Sequence, residues 1–138
     1  MQIIISQNTG TEMQPILQEQ QLELGGLTED QRKEYVDRAL GNYLSGVQLR
    51  FLPDDFNTLR EGNIIPQEDF DYCSKFGKLM HVNVGWIDHN GMISLTGITS
   101  DEGGEHAVPL RHEDSVYGNP LKEKEFRRFL ATSFSLPH

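Results

Sequence analysis

From Lys78 to Asp88 apolar and polar residues alternate, and the run ends in Asn90-Gly91 before a second alternating run begins. Met80, Val82, Val84 and Trp86 share one side, with His81, Asn83 and Gly85 on the other. Asn-Gly is the favoured pair for a two-residue type I′ turn, because both central residues take positive φ. That turn pairs His89 with Met92, Asp88 with Ile93, Ile87 with Ser94 and Trp86 with Leu95. Trp86 and Leu95 then lie together on the apolar face, while His81, Asn83, Ser94 and Thr96 lie on the opposite one. A hairpin over 78–99 commits the chain to an antiparallel sheet.

The neighbouring segments supply the remaining layers. Thr28 and Gln31 have capping-box spacing, Glu29 and Asp30 suit the positive end of a helix dipole, and Tyr35, Val36, Ala39, Leu40, Tyr43 and Leu44 recur with helical period. A helix over about 28–45 follows, with Gly46 as its C-terminal cap. Val47, Leu49 and Phe51 alternate with polar residues until Pro53 stops the strand. Asp54 or Asp55 then caps a helical turn carrying Phe56 and Leu59 and ending at Gly62. Residues 63–77 are too apolar for a solvated loop but are broken by Pro66 and Gly77, which suits a packed irregular segment with one helical turn. Asp101-Glu102-Gly103-Gly104 reads as a flexible connection to a third strand, His106 to His112, which Pro109 confines to a sheet edge. A second main helix over about 120–132 starts from Asn119-Pro120, with Phe126, Phe129 and Leu130 as its buried stripe.

The N-terminal 26 residues are Gln-rich. Ile3-Ile4-Ile5 suits a strand. Met13 to Leu24 fits either a helix started at Pro15 or an extended run over Leu22-Glu23-Leu24, and the extended reading is preferred. The segment ends at Gly25-Gly26 and is open also to a role as an arm that packs on another subunit. The expected fold is α+β: an antiparallel meander that includes the 78–99 hairpin, packed against two main helices. The chain's 138 residues match one ordinary domain, read here as a single acidic domain over 1–138. Cys73 has no second cysteine to pair with and is read as a small buried hydrophobe in a reducing compartment. No apolar run is long enough to span a bilayer, so the chain is expected to be soluble and cytoplasmic.

The formal charge is −9, and it is unevenly spread. Residues 54–71 hold Asp54, Asp55, Glu61, Glu68, Asp69 and Asp71 against Arg60 alone. Such a surface repels phosphate backbones and anionic lipids, which argues against direct nucleic-acid or membrane binding, and attracts a basic protein. Four of the five histidines fall between positions 81 and 112. No His-x-His or His-x-x-x-His pair is present, so no metal site or cofactor is expected. Asp88-His89 is not read as a carboxylate–base pair, since adjacent strand residues point to opposite faces. No nucleophile elbow or phosphate-binding glycine loop occurs.

The expectation is therefore a non-catalytic interaction protein: an inhibitor, immunity protein or accessory subunit binding a basic partner through the acidic block. The alternative is an oligomeric protein holding a small polar or nucleotide-like ligand near His81, Asn83, Ser94, Thr96 and Arg111, with Gly85 leaving room beside the backbone. A metal- or histidine-dependent hydrolase is a weaker third reading.

Overall fold

The computed structural model describes residues 1–8, 10–111 and 120–136. Seven strands form one antiparallel sheet: β1 (Gln2–Asn8), β2 (Leu17–Glu23), β3 (Val47–Phe51), β4 (Lys78–Ile87), β5 (Met92–Asp101), β6 (Gly104–Leu110) and β7 (Leu121–Lys122). Their order is β2-β1-β3-β4-β5-β6, with β7 also pairing β5. From β3 to β6 the sheet is a meander. Among the described residues four α-helices accompany it: α1 (Glu29–Gly41), α2 (Phe56–Glu61), α3 (Gln67–Cys73) and α4 (Glu123–Phe134). The fold is α+β, with α1 and α4 as its two long helices. Among the described residues no helix is long and apolar enough to cross a membrane.

The register aligns one apolar row straight across the sheet, Leu22–Ile3–Leu49–Val84–Leu95–Leu110. Phe51, Val82 and Val108 lie on the same side. Buried residues of every helix join this face in one core, including Val36 and Leu40 of α1, Leu59 of α2, Phe70 and Cys73 of α3, and Phe126, Phe129 and Leu130 of α4. Phe51 stands at its centre, with ring centroids 6.2 Å from Phe126, 6.3 Å from Phe129 and 5.8 Å from Phe134.

Helix α1 starts as its sequence predicts. Gln31 N–H donates to Thr28 Oγ1 (3.2 Å), and Thr28 N–H donates to Gln31 Oε1 (2.9 Å). It ends at Gly41, earlier than its apolar period suggests, because Asn42 Oδ1 accepts the Leu44 N–H (2.8 Å) and starts a 3-10 turn. Leu44 is consequently exposed, and Gly46, at φ 74°, caps that turn rather than the helix. Residues 17–23 are extended, as the sequence suggests. The 63–77 segment is more regular than predicted, since Pro66 precedes the helix α3 instead of breaking one.

The hairpin forms with a different turn. Asp88 N–H donates to Met92 O (2.9 Å), so Asp88 faces Met92 across a three-residue loop. Asp88 Oδ1 accepts the N–H groups of Asn90 (2.8 Å) and Met92 (3.0 Å), and of the central residues only Gly91 takes positive φ. The carboxylate stabilises this wider loop, in which a single left-handed glycine suffices. Ile87 accordingly pairs with Ile93 rather than Ser94, and a bulge further along β4 then sets Val84, not Trp86, opposite Leu95.

Strand β4 also carries an extra residue between Leu79 and His81 and another between Val84 and Ile87. Each bulge inverts the side-chain parity, so Leu79 and Ile87 pack toward the core with Val82 and Val84. Met80 and Trp86, predicted to be core, are 41% and 47% exposed.

The 101–104 connection is a tight turn rather than a flexible link. Asp101 pairs with Gly104, and Asp101 Oδ1 accepts from Gly103 N–H (2.8 Å). Pro109 lies in an edge strand, as expected, but β6 closes at Leu110 because Arg111 turns away at φ 46°. His112 and Asn119 lie outside the described residues. Pro120 does not open α4. Leu121 and Lys122 first pair with Ile93 and Met92, and Glu123 N–H then donates to Gly91 O (2.9 Å), so the helix starts at Glu123.

Candidate functional site

The acidic block folds into a 3-10 turn (Pro53–Asp55) followed by α2 and α3, which pack through Phe56 and Phe70 with ring centroids 5.4 Å apart. Its six carboxylates separate into two groups. Asp54, Glu61, Glu68 and Asp71 are exposed. Asp55 is turned inward, where Oδ2 accepts the Leu52 N–H (2.9 Å) and lies 2.9 Å from the Met1 amino nitrogen.

Asp69 is buried at 2% exposure, which removes it from any acidic surface. It sits one turn before Cys73 on the core side of α3, where the Arg111 backbone N–H reaches it. Oδ2 has no hydrogen-bond partner. Desolvation raises its pKa above the usual carboxylate range, against the opposing pull of the Arg111 N–H and guanidinium; Glu68 adds to the rise. The Cys73 thiol is pushed up to about 11 by burial and then by the Asp69 charge, which leaves it a packed, unreactive group.

Arg60, the cation within the block, is tied down. Its guanidinium lies 4.2 Å over the Phe70 ring, and Nη1 donates to Asn57 Oδ1 (2.8 Å). Some carboxylates elsewhere meet cations of the chain. Arg127 joins Asp37 to Glu123, Arg111 meets Glu125, and His106 meets Asp101, each at 3.0 Å. Asp101 is held below its ordinary pKa chiefly by the His106 hydrogen bond. Among the described residues, Asp54, Glu61, Glu68 and Asp71 have no such ion pair. Four exposed carboxylates without an ion pair are thus carried by the 3-10 turn Pro53–Asp55 and the two helices that follow it.

The five residues of the ligand reading do not converge. Asn83 and Thr96 pair directly in a polar row, Glu23–Gln2–Arg50–Asn83–Thr96–Pro109, on the face opposite the core. Arg50 Nε donates to Asn83 Oδ1 (3.2 Å), and Gln2 Nε2 donates to Glu23 Oε1 (3.1 Å). His81 pairs with Ile98 beside that row, and its pKa is lowered by desolvation and then by Arg50, with Glu105 opposing. The side-chain position at Gly85 is taken, since a Cβ there would lie 3.2 Å from Ser94, although Gly85 also lines a cavity of about 280 Å³ with Ser6, Val47 and Trp86.

Arg111 has left this face. It is buried, and Nη1 donates to the carbonyls of Asn63 (3.3 Å) and Ile64 (3.4 Å) and to Glu125. Ser94 and Arg111 do both line a cavity of about 400 Å³ with Asp88, Asn90 and Met92, and residues 112–119, which join Arg111 to Pro120, lie outside the described residues. Among the described residues no group of three His, Cys, Asp or Glu side chains is placed to hold a metal. Sequence reasoning missed the Asp69–Arg111–Glu125 connection. Neither a charged residue on the apolar face of a short helix nor a left-handed arginine leaves a periodic signal.

No family model, curated protein or solved structure matches this chain. Its functional reading therefore rests on its own geometry and charge.

Proposed function

We propose that the protein is a non-catalytic interaction module that binds a basic protein surface through α2, α3 and the 3-10 turn (Pro53–Asp55) that precedes them. The observation that carries this reading is the local excess of acid: Asp54, Glu61, Glu68 and Asp71 are exposed without an ion pair, and Arg60, the cation among them in sequence, is held against Phe70. Unpaired like charges on one surface raise the local potential and steer an oppositely charged partner. Action as an inhibitor, immunity protein or accessory subunit fits such a surface equally.

The test begins with partners captured from extract of the source organism and identified by mass spectrometry. The partner should present a basic surface, and its Kd should weaken about tenfold or more when Asp54, Glu61, Glu68 and Asp71 are replaced together by Lys. Binding should also weaken steeply toward about 0.5 M salt, where the Debye length falls to roughly 4 Å. Asp55 and Asp69 are left intact, because reversing them disturbs the fold. Undiminished binding by the quadruple variant, or salt-independent binding, overturns the proposal.

A further inference from the structure

We propose that β2 is the seam of a two-fold homodimer in which two sheets join edge to edge. The two ends of the sheet are built differently. At one end β6 contains Pro109, which cannot donate to a further strand. At the other, β2 pairs with β1 over all seven residues without a register shift and contains no proline, lysine or bulge. Such an edge presents an unbroken row of backbone donors and acceptors for another strand. Gln18, Glu19, Gln20, Gln21 and Glu23 along it are exposed, as are Met13 (92%) and Ile16 (54%) just before it.

The sequence of β2 fits its own copy. Joining two sheets with their cores on one side requires residues of like face to pair, so only registers displaced by two residues compete. One of these pairs all seven positions, the register centred on Gln20. It sets Gln20 opposite Gln20, Gln18 opposite Leu22, Glu19 opposite Gln21 and Leu17 opposite Glu23 of the second copy. No glutamate faces a glutamate. A shift centred on Glu19 sets that residue opposite itself, and one centred on Gln21 sets Glu19 opposite Glu23, both unfavourable like-charge pairs. The full register also brings exposed Ile16 alongside Leu24 of the second copy. The seam is about 24 Å long at the usual rise per residue. Main-chain hydrogen bonds supply its affinity, and the glutamate pattern fixes its register.

Site-specific cross-linking of the full chain tests both association and register. Directly opposed antiparallel residues have Cα atoms roughly 4.5–5.5 Å apart, within disulfide reach. Gln20→Cys should therefore give a covalent dimer on oxidation. Gln18→Cys should not, because its symmetry mate lies roughly 14 Å away along the strand. The native thiol of Cys73 is buried and does not compete. In sedimentation velocity the unmodified protein should dimerise with concentration, and Gln20→Lys, which opposes two ammonium groups, should weaken the dimer about fivefold or more. A monomer at every concentration overturns the inference. So does a dimer indifferent to Gln20→Lys, or cross-linking through position 18 as readily as through 20. A heteromer formed through β2 without self-association also overturns it.

Discussion

The two faces of the sheet are made from the same strands, one residue out of step, and they are stabilised by different physics. The covered face is a continuous apolar row closed by aromatic rings from α4. The opposite face is a row of amides, hydroxyls and one guanidinium, in which Ile4 alone of β1 is buried without joining the core. Ile4 pairs with Gln21 on one side and Gln48 on the other. Burial on the covered face comes from interlocking layers, whereas Ile4 is buried outside that core, between glutamines on the neighbouring strands.

That difference sets the largest expected effect. Phe51→Ala removes a fully buried ring in contact with three other phenylalanines and should cost about 4 kcal/mol in denaturant unfolding. Ile4→Ala, just as inaccessible, should cost only about 2 kcal/mol, because glutamine stems and water can close over the gap. Equal losses would mean that the polar face packs as rigidly as the core.

Titration sharpens the contrast, with opposite signs on the two faces. Asp69, on the covered side, has a folded-state pKa raised by desolvation. The native state then holds its proton more tightly than the unfolded chain, so this group's contribution falls as pH rises from about 4 through its folded pKa. His81, on the polar face, has a pKa lowered by desolvation and by Arg50. Here the unfolded chain binds the proton more tightly, so stability is retained above about pH 6.5 and lost as pH falls through the folded pKa. Unfolding free energies measured across pH should lose the first slope in Asp69→Asn and the second in His81→Gln. Unchanged pH profiles would remove the electrostatic distinction between the faces.

Legibility in the sequence followed the same divide between local and tertiary causes. The start of α1, the stop of β3 before Pro53 and the edge position of Pro109 were readable, because each depends on a few adjacent residues. The parity of β4 was not. Leu79-Met80 and Trp86-Ile87 offer an apolar residue at either parity, and only packing against the helices decides where the bulges fall. Asp88 was read as a strand residue opposite Ile93, and its two accepted hydrogen bonds change the loop length that Asn90-Gly91 alone implies. The acidic block was visible as composition. Which of its members face solvent depends on the rotation of a two-turn helix that places Asp69 against Arg111.

The smallest expected effect lies in the polar row itself. Arg50 and Asn83 meet through one 3.2 Å hydrogen bond between half-buried side chains, a geometry that contributes little once water competes. Asn83→Ala should cost about 0.5 kcal/mol, and a double-mutant cycle with Arg50→Met should give a coupling below about 1 kcal/mol. Asn83 is flanked by Val82 and Val84, whose side chains enter the core, so the same backbone segment hosts both regimes. Val84→Ala, one residue away, should cost several times more than Asn83→Ala. A coupling above about 2 kcal/mol would instead require the Arg50–Asn83 pair to be shielded from water, and with it the face that carries them.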